Sequence, residues 1–379
     1  MRLFKDLNID FMSKRTTFYF VSAIILLLGL LTIFTKGVVF GIDFRGGSEI
    51  ALQFDKPVDI SKVRVEIDRI GLGNVEVKTF GGSTGILLRT ELQEVPKEVL
   101  PIVRSHVEKL MTNIYPGLQK TVIDSSTTEI TYSLPDPQTV EVLSNRLFQA
   151  GVQSVKKSSE PTNTALVVRL SIADWIKETL SEKFTDNSFS ILKEDKVGPK
   201  VGKELKKDAV LAVLLSLVVI LIYLGFRFKF TFAFGAVIAL FHDVLITLGV
   251  FVILYGVIPG FNLEISVSVV AAFLTLVGYS INDTVIVFDR VREQMKIHKT
   301  LSVEENMNHA INKTMSRTII TVLTTLLSII VLLIFGGEVL RGFAFALFIG
   351  MITGTYSSVF IASAFVLEYA NRAHKKIEF

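Results

Sequence analysis

Six apolar stretches constrain the fold of this 379-residue chain more than any other feature. A helix rises ~1.5 Å per residue and the hydrocarbon layer of a bilayer is ~30 Å thick, so a span needs about 20 apolar residues. Each of the six stretches is close to that length or longer. The sequence therefore predicts membrane-spanning helices at residues 17–36, 208–226, 231–257, 263–288, 318–335 and 342–367. The mean hydropathy of +0.52 excludes an ordinary soluble protein.

The distribution of lysine and arginine predicts how these spans are oriented. Such residues collect in the short cytoplasmic segments of membrane proteins. Here they are concentrated at both chain ends and after the second and fourth spans, at Arg2, Lys5, Lys14, Arg15, Arg227, Lys229, Arg290, Arg292, Lys296, Lys299, Lys313, Arg372, Lys375 and Lys376. Both termini are therefore predicted to be cytoplasmic. No small-x-small cleavage site follows the first span, so we expect it to remain as an anchor.

The long polar segment between the first two spans is predicted to be a domain outside the membrane. Strand-like alternation and helical periodicity follow one another there, as in ferredoxin-like folds. The expected fold class is an α-helical membrane protein with six transmembrane helices and a periplasmic α+β (ferredoxin-like) domain between helices 1 and 2. The predicted parts are a cytoplasmic N-terminus and first span (1–36), the periplasmic domain (37–207), a five-helix transmembrane region (208–368) and a cytoplasmic tail (369–379).

The periplasmic segment contains a predicted internal duplication. Residues 49–110 and 129–187 show the same order of strand-like and helical patterns, ending with a helix at 97–113 in the first and near 175–184 in the second. Shifting residues 49–90 by 80 positions gives seven identities, including Gly71 with Gly151 and Arg89 with Arg169. The matching order of elements favours duplication over chance.

One carboxylate falls inside an apolar stretch. Asp283 lies late in the fourth predicted span, and Thr275, Tyr279 and Asp283 share one helical face at i, i+4 and i+8. An ionisable group at membrane depth costs at least ~2.5 kcal/mol, so it usually faces the bundle interior and carries protons or ions. The alternative is that Asp283 lies near the inner headgroups and is simply solvated.

Arg317 precedes the fifth span at a similar depth. A polar stripe continues along the same helix face, at Thr321, Thr324, Thr325 and Ser328. Such a stripe is typical of a bundle interior, where Arg317 would pair with Asp283. If they pair, ion binding at Asp283 requires the contact to loosen and couples occupancy to helix movement. The alternative is an anchoring arginine that extends to the membrane surface.

A second acid, Asp243, follows His242 midway along the third span. It is predicted to be either a second relay carboxylate or a hydrogen-bonding group between helices, and the sequence leaves both open. The polar residues expected to support an ion relay, as hydroxyl or amide groups, are Ser280, Asn282, Thr284 and Thr321. A sodium site would use several such oxygens, whereas a proton would need only the carboxylate.

Other chemistries find little support. The chain has no cysteine, its five histidines are scattered, and no phosphate-binding glycine loop is present. We therefore expect no metal, no cofactor, no nucleic-acid partner and no ATP hydrolysis. An intramembrane aspartyl protease would need Asp243 and Asp283 as facing catalytic acids, and Arg317 beside one of them argues against it. The protein is not expected to be an enzyme.

Several longer motifs resemble one known family. Residues 41–47 look like the opening signature of the SecD and SecF proteins, with Gly41, Asp43, Gly46 and Gly47 as its characteristic positions. Residues 197–205, 241–244, 278–290 and 316–318 are similar to further motifs of SecF. The similarity covers nearly the whole chain. It identifies the chain as a member of the SecF family, within the RND superfamily.

The resemblance implies a function. SecF proteins work with SecD in the bacterial inner (plasma) membrane, beside the SecYEG channel. They use a proton or sodium gradient to pull exported unfolded polypeptide outward after SecA has acted, with membrane lipid around them. Asp283 and Arg317 match the family's essential aspartate and its arginine partner, and the second key acid lies in SecD. SecF normally carries one βαββ-type unit outside the membrane, and residues 115–187 are an expected extra one.

Two other functions are compatible with the same residues. An RND-type exporter half for lipids or small molecules would need a hydrophobic cleft leading from the bilayer, and usually a chain with two six-span halves. A structural scaffold that only holds the channel together would tolerate neutral replacements of Asp283 and Arg317.

Overall fold

The computed structural model describes residues 7–373, apart from residues 151, 159, 161, 259 and 260. Gly151 of the predicted second repeat, tail residues 374–379 and the basic residues at positions 2, 5, 375 and 376 lie outside the described residues. The chain forms two compact units. We name Met1–Phe44 with Lys203–Phe379 the membrane unit, and Arg45–Gly202 the outer unit.

The chain enters the outer unit from the first span. After one 3-10 turn at Met12–Lys14, α1 (Arg15–Lys36) forms that span, and it ends where Gly37 adopts a positive φ of 75°. A short helix, α2 (Ile42–Arg45), then leads to the first strand. The signature residues identified in the sequence therefore lie at the passage between the two units.

The described residues of the outer unit form two antiparallel four-stranded sheets and four helices. Its elements in chain order are β1 (Gly47–Phe54), α3 (Ile60–Arg69), β2 (Val75–Thr79), β3 (Gly85–Thr90), α4 (Leu100–Ile114), β4 (Thr121–Ser125), β5 (Glu129–Ser133), α5 (Pro137–Gln149), β6 (Ser154–Lys156), β7 (Ala165–Arg169), α6 (Ile172–Lys183) and β8 (Phe189–Val197). The first sheet has the order β2-β3-β1-β8, and the second has the matching order β6-β7-β5-β4. The described residues thus form an α+β unit with two similar halves.

The two halves exchange their last helix and strand, which the repeat boundaries at 49–110 and 129–187 do not predict. Helix α6 buries Ile176 and Leu180 against the first sheet, and β8 pairs with β1. Helix α4 buries Val107 and Met111 against the second sheet, and β4 pairs with β5. Periodicity reports that a helix has an apolar face, but it does not report which sheet covers that face.

The remaining five spans follow the outer unit. They are α7 (Pro199–Arg227), α8 (Phe230–Leu254), α9 (Val267–Ile297), α10 (Val303–Phe335) and a sixth span built from α11 (Gly337–Ser357), a π-helix (Ser358–Ser363) and α12 (Ala364–Ala373). Among the described residues, six helices are long and apolar enough to cross a membrane. The predicted number of spans is confirmed.

Several helices differ in length from the predicted apolar stretches. Helix α10 begins well before residue 318 because Ser302 and Glu305 form a capping box: the Glu305 N–H donates to Ser302 Oγ at 3.1 Å, and the Ser302 N–H donates to Glu305 Oε2 at 2.7 Å. Helix α9 begins after residue 263 because Ile265 is extended and donates its N–H to the Val39 carbonyl at 2.9 Å. Capping and pairing set these ends, and hydropathy does not report them.

The core of the membrane unit lies around α8 and the sixth span. In the most apolar stretch of α8, 50% of the residues are buried, against 11% in the corresponding stretches of α1 and α7. Phe232 of α8 meets Phe288 of α9 edge to face, with ring centroids 5.0 Å apart. Large side chains on the peripheral helices, such as Phe34 and Phe226, remain exposed where lipid would cover them. This arrangement places Asp243, on α8, at the centre of the unit.

Candidate functional site

Asp283 is a buried carboxylate with no partner among the described residues. It lies on α9, and only 2% of its surface is exposed. Within the described part of the chain, its oxygens have no hydrogen bond and no ion pair within 4.0 Å. A buried charge in this state costs several kcal/mol unless a counter-charge or proton compensates it. The position is therefore suited to taking up a proton or a cation.

Arg317 lies near Asp283 without touching it. Its helix, α10, packs along α9, and the arginine is the charged group that acts on the Asp283 carboxylate. The two side chains do not come within 4.0 Å of each other in this structure, and Arg317 is exposed. The predicted direct ion pair is thus replaced by attraction across a gap.

The polar stripe on α10 is turned outward from this chain. Thr321 and Thr325 are half-buried, whereas Thr324 and Ser328 are exposed. Thr325 Oγ1 donates to the Thr321 carbonyl at 2.9 Å and lies 3.5 Å from the Tyr279 hydroxyl. A polar helix face that includes an arginine is costly against lipid. This face is therefore suited to contact with another polar helix.

Asp243 has the opposite environment. Only 1% of its surface is exposed. Its Oδ2 accepts hydrogen bonds from Ser280 Oγ at 2.7 Å and Ser357 Oγ at 2.8 Å, and its Oδ1 lies 3.0 Å from His242 Nδ1. Three neighbouring side chains thus satisfy the carboxylate, and they come from α8, α9 and α11. This bonding favours the hydrogen-bonding alternative that the sequence left open.

His242 extends the same network to the first span. Its Nε2 lies 2.9 Å from Ser22 Oγ and 3.0 Å from the Tyr356 hydroxyl, and these two oxygens are 3.1 Å apart. The network therefore joins four helices through polar side chains inside an apolar bundle. We name it the Asp243 cluster; its members are Ser22, His242, Asp243, Ser280, Tyr356 and Ser357.

Among the described residues, none of the side chains predicted to support a relay, Thr321 included, hydrogen-bonds to Asp283. The Ser280 hydroxyl bonds to Asp243, and Asn282 is exposed. Thr284 is buried, and its Oγ1 donates to the Ser280 carbonyl at 3.3 Å. Within the described residues, no group of three or more His, Cys, Asp or Glu side chains could hold a metal ion.

Two glycines of the sixth span allow this arrangement. A Cβ at Gly354 would lie 2.9 Å from Ser280 Oγ, and one at Gly350 would lie 2.5 Å from Leu276 Cδ2. Both distances are shorter than ordinary Cβ contacts, so a larger residue at either position would force the facing Leu276 or Ser280 side chain to shift. The small-residue pattern Gly350-xxx-Gly354 is therefore explained by packing.

Sequence reasoning missed three members of the Asp243 cluster. Ser22 is one of several hydroxyl residues in the first span, and Tyr356 and Ser357 come shortly after Gly354 in the sixth. Their shared signal is a hydroxyl in each span that contacts the third span. A search for polar partners of Asp243 could have found them only with the helix packing in hand.

Each signature residue near the outer unit has a structural role. Asp43 Oδ2 accepts a hydrogen bond from the Val267 N–H at 2.8 Å, and the Gly41 N–H donates to the Ile265 carbonyl at 2.9 Å. Gly46 and Gly47 have positive φ angles of 81° and 113°. A Cβ at Gly46 would lie 2.9 Å from Pro199 Cα, and one at Gly47 would lie 2.3 Å from the Thr90 carbonyl oxygen.

Six membrane helices around buried carboxylates, with an α+β unit inserted after the first, define a multi-pass membrane protein of the transport type. The family described as "Protein export membrane protein SecD/SecF, C-terminal" matches residues 176–372, and the "SecD/SecF GG Motif" matches residues 32–58. This chain belongs to the SecF family of protein translocase subunits.

Individual relatives agree with this assignment. The protein translocase subunit SecF of Rhodothermus marinus is 37% identical over 98% of this chain and 97% of its own length. That of Pseudomonas aeruginosa is 33% identical over 95% of this chain and 91% of its own length. The crystal structure of SecDF from Thermus thermophilus has a TM-score of 0.64 at 30% identity and covers 97% of this chain. This chain spans only 39% of that SecDF chain.

Proposed function

We propose that this SecF subunit works with a SecD partner to couple an ion gradient to the export of unfolded polypeptides through SecYEG, after SecA has acted. One observation carries the proposal: Asp283 is buried in a membrane helix with no hydrogen bond or ion pair among the described residues. The described part of the folded chain supplies no direct partner that compensates the buried charge of this carboxylate, whereas a bound proton or other cation would compensate it. The family resemblance supports the same assignment.

The surroundings of Asp283 favour a proton over sodium. A sodium ion needs several oxygen ligands. Of the oxygens that the sequence offers nearby, Ser280 is engaged by Asp243, Thr284 is engaged by the backbone, and Asn282 faces outward. A proton needs only the carboxylate itself, so we propose that the proton is the coupling ion.

Occupancy of Asp283 changes the force between two helices. The ionised carboxylate on α9 attracts Arg317 on α10 across the gap between them. Neutralisation removes this attraction, and α9 and α10 become free to shift relative to each other.

The outward polar face of α10 supports a helical partner. Arg317 is exposed in this chain, although a charged side chain is unfavourable against lipid. Thr324 and Ser328 are exposed on the same helix face. A SecD helix that carries an acid would complement this face. The two solved SecDF relatives each contain about 2.5 times the length of this chain, which agrees with a second subunit being required.

The charge distribution supports the orientation. Segments rich in Lys and Arg lie on the cytoplasmic side of a membrane, so the basic segments after α7 and after α9 favour an orientation with both chain ends in the cytoplasm. The membrane is then the inner membrane of a bacterium. The outer unit then lies in the periplasm, where it would meet exported polypeptide.

Asp283→Asn tests the proposal. The variant keeps the shape of the side chain but cannot ionise. We expect it to lose the gradient-dependent part of export in vesicles that contain SecD and SecYEG. The matched control is Asp289→Asn on the same helix, where the acid is exposed and lies 3.3 Å from Arg227. Normal export by Asp283→Asn, with the complex still assembled, would leave only a scaffold role.

The choice of ion is tested in the same vesicles. Export driven by a pH gradient in the absence of sodium should proceed at the full rate. Export that requires sodium and is independent of the pH gradient would contradict the proton assignment. The role of Asp283 as the ion-binding carboxylate would then still stand.

A further inference from the structure

We propose that Asp43 is a positioning residue that fastens the outer end of α9 to the passage between the two units, and thereby transmits movement of α9 to the outer unit. This inference rests on the proposed function, because it needs α9 to move when Asp283 changes its occupancy. It assigns a role to the signature residues 41–47, which ion coupling itself does not use.

The first observation is a helix cap supplied from far away in the chain. The start of a helix leaves four N–H groups without partners, and a negative charge there is favourable. In α9 the N-cap Ser266 satisfies the Val269 N–H at 3.3 Å, and Asp43 satisfies the Val267 N–H at 2.8 Å. A local residue can cap a helix, as Ser266 does. The Asp43 carboxylate also ties α9 to a segment more than 200 residues earlier.

The second observation is a parallel bridge beside this cap. The Gly41 N–H donates to the Ile265 carbonyl at 2.9 Å, and the Ile265 N–H donates to the Val39 carbonyl at 2.9 Å. Together with the Asp43 bond, three hydrogen bonds hold the segment against the residues that lead into α9. The segment is therefore fastened to α9 and not merely adjacent to it.

The third observation is how short the passage is. The membrane unit ends at Phe44, and β1 of the outer unit begins at Gly47. The four residues 44–47 can span at most about 14 Å, so this connection between α2 and β1 can lengthen very little. Gly46 and Gly47 are packed against Pro199 and Thr90 of the outer unit so closely that no Cβ would fit. Strand β1 is internal to its sheet, paired with both β3 and β8.

The fourth observation concerns the return connection, α7. Within the membrane unit, the Lys206 ammonium lies 3.8 Å above the Phe40 ring, and Phe40 meets Phe44 edge to face. Within the outer unit, Gly46 packs on Pro199 at the start of α7. Both covalent connections between the units are thus tied to the same signature segment.

Helix α9 carries both ends of the proposed linkage. Asp283 follows Val267 by 16 residues, which is about 24 Å along a helix. A helix resists compression, so a shift at Asp283 displaces its outer end and pulls on Asp43. The ion site and the outer unit are connected through this one helix and the short segment fastened to it.

Distance measurements in the assembled complex test the linkage. The natural chain has no cysteine, so spin labels can be placed at Val65→Cys in the outer unit and Val257→Cys in the membrane unit, both exposed. We expect the label distance to change with the pH gradient in the otherwise natural chain. We expect Asp43→Ala to lose this change together with gradient-dependent export, while Asp283 still exchanges its proton.

Two further variants separate a linkage from simple helix capping. Ser266→Ala removes the local cap of α9 and leaves the distant one, so it should retain the distance change. Asp43→Asn keeps an oxygen that accepts from Val267, so it should restore the change if Asp43→Ala is poorly folded. Equal loss in Asp43→Ala and Ser266→Ala, or a full distance change in Asp43→Ala, overturns the linkage. No distance change in the natural chain while export still follows the pH gradient also overturns the linkage. The proposed function itself fails only if export does not depend on the gradient or is normal in Asp283→Asn.

Discussion

Asp243 and Asp283 are both buried acids in the same helix bundle, and they differ in almost everything else. Three side chains hydrogen-bond Asp243. Asp283 has no such partner among the described residues. The two acids lie on neighbouring helices, and Ser280 is one turn from Asp283 although its hydroxyl bonds Asp243. Burial alone therefore does not distinguish the two acids, whereas the lack of a hydrogen-bond partner among the described residues does.

The largest expected difference between the two acids is in the stability of their alanine variants. Asp243→Ala leaves three buried polar groups without their partner, and at ~0.6–1.7 kcal/mol per membrane hydrogen bond it should cost about 2–5 kcal/mol. Asp283→Ala removes no hydrogen bond and relieves a buried charge, so it should leave the stability unchanged or raise it. Thermal unfolding of both variants in detergent measures this difference. Equal losses would show that Asp283 has partners of similar strength.

Gly354, which packs against Ser280 of the Asp243 cluster, gives a second test of the close packing around Asp243. Gly354→Ala places a methyl group 2.9 Å from Ser280 Oγ. The side chains must shift to accept it, at a cost of about 1–3 kcal/mol. Gly278→Ala on α9 is the control, because no atom lies within 4 Å of its Cβ position. It should stabilise the helix by about 0.5–1 kcal/mol. If Gly278→Ala lost as much stability as Gly354→Ala, the loss at Gly354 could not be assigned to its close contact with Ser280.

A half-buried acid extends the comparison to the outer unit. Burial, together with the charges of Glu194 and Glu178, raises the pKa of Asp174 in α6 to about 6. A carboxyl group whose pKa is raised on folding stabilises the folded state below its unfolded pKa, and this contribution is lost as the pH rises through 6. Since Asp174 is only partly buried, we expect a loss of about 1–2 kcal/mol.

Hydrogen exchange of the α6 amides at pH 4.5 and pH 7 measures this loss in the full chain. The amides should exchange from a less stable state at the higher pH, after correction for the intrinsic rate. Asp174→Asn should remove the pH dependence. A variant that retains the full pH dependence assigns the effect to another group.

The smallest expected effect lies at the far end of the Asp243 cluster. His242 Nε2 has two hydroxyl neighbours, Ser22 and Tyr356. Tyr356→Phe or Ser22→Ala removes one of them, so each should cost only ~0.6 kcal/mol. The double variant should cost more than the sum of the two, because it leaves the ring nitrogen unsatisfied. Additive losses would show that one hydroxyl alone bonds the ring.

Hydropathy predicted the six spans because the physics of crossing a bilayer acts on composition and length alone. It also placed Asp283 inside a span, since an acid in an apolar stretch is visible in a single sequence. The partners of Asp243 were not predictable in this way. Ser280 lies between Tyr279 and Ile281 on α9, and only the approach of α11 at Gly354 decides that its hydroxyl bonds Asp243.

The same limit applies to Arg317 and to the outer unit. The sequence gives Arg317 a depth similar to that of Asp283, but the distance between them depends on how α10 is rotated against α9. In the outer unit, the apolar faces of α4 and α6 are visible in the sequence. Which sheet covers each face is decided by tertiary packing, which the periodicity of a single helix does not report.

That exchange has a consequence for biosynthesis. Glu49 of β1 lies opposite Asp195 of β8, 146 positions later in the chain. Until residue 197 has left the ribosome, β1 lacks the neighbour on one side, and the first sheet retains an open edge that invites mispairing. The earlier half of the outer unit cannot mature before the later half has been made. Rapid pairing of β8 with β1 after synthesis would close this edge and lower the risk of aggregation.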